Sequence, residues 1–154
     1  MRVMVFVKAT QESEEGIIAG PEAFEAMARF NEELINAGML LAADGLAASM
    51  MGKRVAFDGA QRTVIDGPFA ATNELVAGFW MWQVRDMEEA VAWVKRCPNP
   101  MPGPSEIEIR PILEFADVQE RLTEESRAIR ARASEALSGT LGPAGALGGL
   151  GKPD

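Results

Sequence analysis

The chain has 154 residues, 47% of them apolar and 25% charged, enough for one globular core with an appendage. Its net charge of −8 works against direct contact with nucleic-acid phosphates or anionic lipid heads, because like charges repel. It has no histidine, no tyrosine and a single cysteine, Cys97, which excludes a Ser-His-Asp triad, a Cys-His dyad, a histidine-based zinc site and any disulfide within the chain.

Residues 2–8 (Arg-Val-Met-Val-Phe-Val-Lys) read as a strand that is apolar on both parities. Their shortness and β-branched content do not suit a secretory leader, and no apolar run approaches the ~20 residues of a membrane span. A cytoplasmic protein is the expectation. Residues 11–20 form an acidic loop, which is either a lid closing Ile17 and Ile18 on a pocket or a mobile solvated loop. Gly20-Pro21 then opens a helix, with Pro21 suited to the first helical position and Gly38 to the end. Phe24, Met27, Ala28, Leu34 and Ile35 fall near one face of it.

Residues 39–48 are ambiguous. Lys53–Phe57 and Gln61–Ile65 flank Asp58-Gly59, which marks a hairpin. Asp66-Gly67-Pro68-Phe69 breaks the second run. Residues 76–84 form the strongest strand of the chain. Asp86 is placed to cap the following helix, with Glu89 three residues on, and Met87, Ala90, Val91 and Val94 make its apolar stripe. Pro98, Pro100, Pro102 and Pro104 rule out a helix or an interior strand in the next loop. Glu106–Leu113 reads as the last strand, and 117–137 as a charged helix with a thin apolar stripe. Residues 138–154 hold six glycines and two prolines and read as a flexible tail. Their Gly-Gly-Leu-Gly lacks the flanking strand and helix of a dinucleotide site, and no cofactor is expected.

The order β-α-(β)-β-β-β-α-β-α places two strand–helix–strand halves around one sheet. It predicts an α+β fold of ferredoxin-like type with an extra C-terminal helix. Two internal helices can cover only one face of that sheet. Residues 76–84 are bulky on both parities, so the second face calls for residues 117–137 or for another subunit. A homodimer placing sheet against sheet is the preferred solution.

Asp66-Gly67-Pro68-Phe69, followed by Ala-Ala-Thr-Asn-Glu-Leu-Val-Ala-Gly-Phe-Trp, resembles the signature of the YCII-related (DGPF-motif) family. The opening strand ending at Lys8, the Asp44-Gly45-Leu46 turn and Glu108-Ile109-Arg110-Pro111 are similar to the rest of the pattern, over about residues 1–115. The resemblance implies a dimeric α+β barrel with a cleft at the sheet interface. The resemblance stops near residue 115, so the organisation is 1–115 as the domain, 116–137 as an appended helix and 138–154 as tail. Some members are linked to extracytoplasmic-function sigma factors, and some are proposed enzymes using a His–Asp pair. That pair cannot be carried over here, which leaves Asp66 as the surviving acid. The family pattern often has an acid where this chain has Ala71 and a lysine where it has Asn73.

Each candidate residue has two readings. Asp66 is either a catalytic acid or base at a barrel mouth, or an Asx-turn residue accepting backbone N–H bonds. Lys8, at a strand end, either binds a small anionic ligand (or, if desolvated, acts as a base or nucleophile) or is a snorkelling strand-end lysine; Arg110 either clamps a ligand carboxylate or pairs structurally with a neighbouring glutamate. Asp44 is a further ligand-binding candidate. Asp44, Asp66 and Glu74 could offer oxygen ligands to a cation, but their spacing matches no loop motif and no metal is expected. Trp80 and Trp82 either stack an aromatic ligand or fill a core or dimer interface. Cys97 is a nucleophile only if Lys95 or Arg96 stabilises its thiolate, and is otherwise an inert thiol ending a helix. Two functions are compatible with these residues. One is a small-molecule-binding or enzymatic module with a cleft at the sheet interface. The other is a regulatory module, accessory to a sigma factor, docking a protein partner through 117–137.

Overall fold

The structure is a computed structural model in which residues 1–70, 74–114, 117 and 122–140 are described. Strand β1 (Arg2–Lys8) alternates buried Val3, Val5 and Val7 with half-buried Met4, Phe6 and Lys8. Its β-branched valines suit the pleat and all fall on one face. Loop 11–20 is not wholly irregular: it begins with a single helical turn, α1 (Gln11–Glu14), capped by Thr10. Helix α2 (Pro21–Asn36) starts at Pro21 as predicted. It ends where Gly38 adopts φ 69° and the N–H of Met39 reaches back to the carbonyl of Leu34 at 3.0 Å. Phe30 and Leu34 are its buried residues, whereas Phe24 and Ile35 stay exposed. The apolar stripe therefore lies about one residue step round the helix from where periodicity placed it.

The ambiguous stretch resolves as strand β2 (Leu40–Gly45), followed by a 3₁₀ turn at Ser49–Met51. Strands β3 (Lys53–Asp58) and β4 (Gln61–Asp66) form the predicted hairpin, and Gly59 takes the positive φ (52°) that its two-residue turn requires. Every residue of this hairpin is exposed. Strand β5 (Val76–Gln83) and helix α3 (Met87–Arg96) follow. The Asp86 side chain accepts the Glu89 N–H at 2.8 Å, and the Glu89 carboxylate reaches back one residue further, to the Arg85 N–H at 2.7 Å. That backbone hydrogen bond, before the neighbouring Arg85 charge, holds the Glu89 carboxyl below its ordinary pKa. Strand β6 (Ile107–Pro111) is shorter than expected. Helix α4 (Glu124–Thr140) begins later than residue 117 and runs three residues into the stretch read as tail. Residues 141–154 lie outside the described residues.

The main sheet is antiparallel, in the order β2-β5-β1-β6, and is not closed into a barrel; β3-β4 forms a separate two-stranded sheet. One face carries the core. Val3, Val5, Val7, Trp80 and Trp82 pack there against Phe30 and Leu34 of α2 and Ala90 of α3. Phe30 meets Trp80 and Trp82 edge-on, with ring centroids 6.3 and 6.4 Å apart. None of Met4, Phe6, Phe79 and Met81, on the other face, belongs to that cluster. Helix α4 does not supply the missing cover, since residues 123–136 are all exposed. No helix among the described residues is long and apolar enough to cross a membrane.

Candidate ligand site

A cavity of about 450 Å³ lies between α2 and one end of the sheet. Val7, Ala43, Gly78 and Trp80 form its floor. Ala23, Phe24, Met27 and Asn31, one face of α2, form a wall. Ile17 and Ile18 beyond α1 and Met101 of the proline loop complete its lining. Its depth has a local cause in small residues. Gly45 pairs with Gly78, and Ala43 with Trp80, so beside the indole the floor is nearly bare backbone. A Cβ on Gly78 would lie 3.1 Å from the Asp44 carbonyl oxygen. The volume and the largely apolar walls are those of a small-molecule site. A second concavity, lined by Ala37, Met39, Gln83, Arg85, Glu89 and Trp93, lies across the molecule beside the polar entry to α3.

Polar side chains in the cavity wall are mostly committed. Ser13 Oγ donates to the Thr10 carbonyl at 2.9 Å and accepts the Thr10 N–H. The Glu14 carboxylate accepts the N–H of Ser49 at 3.0–3.1 Å and the Ser49 hydroxyl. Asn99 holds its own loop: its Nδ2 donates to the Gly103 carbonyl, and its Oδ1 accepts from Met101 and Ser105. Trp80 Nε1 donates to Asn31 Oδ1 at 2.8 Å. Register pairs Asp44 with Phe79, on the sheet face away from α2, although both residues also border the cavity.

Of the residues singled out from sequence, Asp44 and Trp80 line this cavity and Lys8, Asp66, Trp82 and Arg110 do not. Lys8 pairs with Glu108 at 3.6 Å, and the same Glu108 lies 3.7 Å from Arg110, so the two cations share one carboxylate on the opposite face. Trp82 is wholly buried in the core, and its Nε1–H has no partner among the described residues. The cavity residues that sequence reading passed over are Asn31 and the small residues under it. The cluster of alanine and glycine at 42–45 and 77–78 was their one legible signal.

Asp66 is exposed, with its carboxylate on Lys53, its register partner at the hairpin base. The motif it opens knits that base to the cavity rim. Gly67 donates to the Gly52 carbonyl at 3.0 Å and passes so close to Ser49 that a Cβ would fall 1.8 Å from the Ser49 carbonyl oxygen, so only glycine fits. The Gly67–Pro68 bond is cis. The Phe69 N–H donates to Ser49 Oγ at 3.0 Å, and its ring takes the Arg54 guanidinium at 4.1 Å from the centroid. Ser49 thus links Phe69 to Glu14. Residues 71–73, where the chain departs from the expected pattern, lie outside the described residues.

Cys97 is half-buried, and burial pushes its thiol up to about 11; its Sγ–H lies 3.2 Å from the Pro98 carbonyl. Arg96 is engaged with Glu33 and stacked on Trp93 rather than turned toward the sulfur. An inert thiol is the reading that fits. Among the described residues no three carboxylate or thiol groups gather as metal ligands, so Asp44, Asp66 and Glu74 make no such cluster.

No curated protein matches the chain. The family model of the YCII-related domain matches residues 1–116, three quarters of its length, and the chain belongs to that family.

Proposed function

We propose that this YCII-related protein is a small-molecule-binding module whose ligand sits between α2 and the sheet. The cavity there carries the reading: about 450 Å³, apolar walls, and an indole whose N–H is already held by an amide of the facing helix. Binding is what this lining supports. It presents no histidine, cysteine or lysine, and its Ser13 hydroxyl and Glu14 carboxylate are engaged with Thr10 and Ser49. The test is a thermal-shift screen of the full chain against a metabolite panel, repeated with Ala23→Trp, which fills the cavity mouth from α2 without touching the core. A ligand at ~100 times its Kd adds about 2.7 kcal/mol, a rise of several degrees at this size. Hits abolished by Ala23→Trp support the reading; hits indifferent to it place the ligand elsewhere and refute it.

The same proposal extends to the assembly. The order β2-β5-β1-β6, with α2 following β1 and α3 following β5, is compatible with a ferredoxin-like unit. Met4, Phe6, Phe79 and Met81 are the surface that a second copy would cover, sheet against sheet. Light scattering on Phe6→Asp tests this. The wild type should run as a dimer and the variant as a monomer; a wild-type monomer at micromolar concentration would refute the arrangement.

A further inference from the structure

If the cavity is the ligand seat proposed above, a reading on which this inference rests, its polar lining also selects the ligand. An indole N–H can only donate, so its bond to Asn31 at 2.8 Å fixes which way the Asn31 amide is turned: Oδ1 toward Trp80, Nδ2 away from it. Asn31 lines the cavity, and its Nδ2 has no partner among the described residues. The other polar side chains of the wall are spent. Ser13 is used in the α1 cap, Glu14 on Ser49, Asn99 within its own loop, and Asp44 belongs by register to the other face. No lysine or arginine lines the cavity, whereas the acid Glu14 does.

We infer that the cavity takes an uncharged, mainly apolar ligand carrying a hydrogen-bond acceptor, a ketone, ester or amide carbonyl, which receives the Asn31 Nδ2–H beside the Trp80 ring. The Trp80–Asn31 bond pre-orients that donor, so Asn31 is the specificity-determining residue and Trp80 its positioning partner. A carboxylate ligand would meet the like charge of Glu14 and no cation; a pure hydrocarbon would leave the amide donor desolvated and unpaired. Both are selected against by the same wall.

Three probes of one shape separate the terms: 2-acetylnaphthalene, 2-ethylnaphthalene and 2-naphthoate, titrated into the full chain and followed on the Trp80 indole N–H resonance. The ketone should bind about five- to tenfold tighter than the hydrocarbon, the worth of one hydrogen bond of about 1 kcal/mol. The naphthoate should bind weakest. Asn31→Asp keeps an acceptor for Trp80 while removing the donor, and should erase the ketone preference. Equal affinity of ketone and hydrocarbon in the wild type would overturn the inference and leave the cavity standing as a binding site. Tightest binding by the naphthoate would overturn the charge assignment. Failure of all three probes, with Ala23→Trp indistinguishable from wild type, would remove the ligand seat itself.

Discussion

The two faces of the four-stranded sheet are built from the same kinds of residue and end differently. On the helix side Val3, Val5, Val7, Trp80 and Trp82 are at most 6% exposed. On the other side Met4, Phe6, Phe79 and Met81 are only half-buried, and the charges Lys8, Glu108 and Arg110 stand beside them. Strands β1 and β5 are apolar on both parities, so in these two central strands residue type does not decide which face becomes core. The crossovers decide it: α2 after β1 and α3 after β5 both pack on the same side. The charged residues that looked most like a binding cluster fell on the uncovered face, and the concave site formed under the helix, where the sheet residues are small.

Substitutions of matched kind on the two faces give the largest contrast. Trp82→Ala should cost about 3–5 kcal/mol in denaturant unfolding, as for large-to-small changes in packed cores. Met81→Ala, the adjacent residue pointing the other way, should cost less than about 2 kcal/mol in the isolated chain. Equal losses would mean that both faces are core. Gly67→Ala comes next. It puts a Cβ onto the Ser49 carbonyl and should cost about 1–3 kcal/mol, with protease cutting first near the base of the hairpin. An unchanged melt and digest would break the claim that this glycine fastens the hairpin to the cavity rim.

Cys97 supplies a pH test. Its pKa is raised by burial from an ordinary 9.0 to about 11, so the folded state holds the thiol proton more tightly than the unfolded state. The stability tied to the neutral thiol is present below pH 9 and is lost as pH rises from about 9 toward 11. Wild type should therefore lose stability across that window faster than Cys97→Ala, and its thiol should alkylate slowly at about pH 8. Parallel curves and fast alkylation would contradict the buried-thiol reading. The smallest effect belongs to Asp66→Asn. The Asp66–Lys53 pair is exposed on both sides, and such pairs contribute about 0–1 kcal/mol. Loss of ligand binding in this variant would return Asp66 to the site.

Much of the fold was legible because its signals are local. Pro21 and Gly38 bound α2, Asp86 caps α3, Asp58-Gly59 turns the hairpin, and the valines of β1 alternate. The site was less legible. A cavity is made by what is missing, and the pairing of Gly45 with Gly78 appears only when β2 and β5 are in register. Asn31 carried no sequence signal either, since its meaning comes from a bond to a tryptophan 49 residues away. Lys8 and Arg110 are strand-end charges, and their common partner Glu108 lies on a strand that only the sheet order brings beside Lys8.

Backbone amide shift mapping with the best hit from the thermal screen separates the two faces most directly. If the ligand sits under α2, the perturbed resonances are those of Asn31, Ala43, Ala77, Gly78 and the Trp80 indole, with Lys8, Glu108 and Arg110 unmoved. Shifts concentrated on Met4, Phe6, Lys8, Glu108 and Arg110 would place the ligand on the open face of the sheet and contradict a seat beneath the helix.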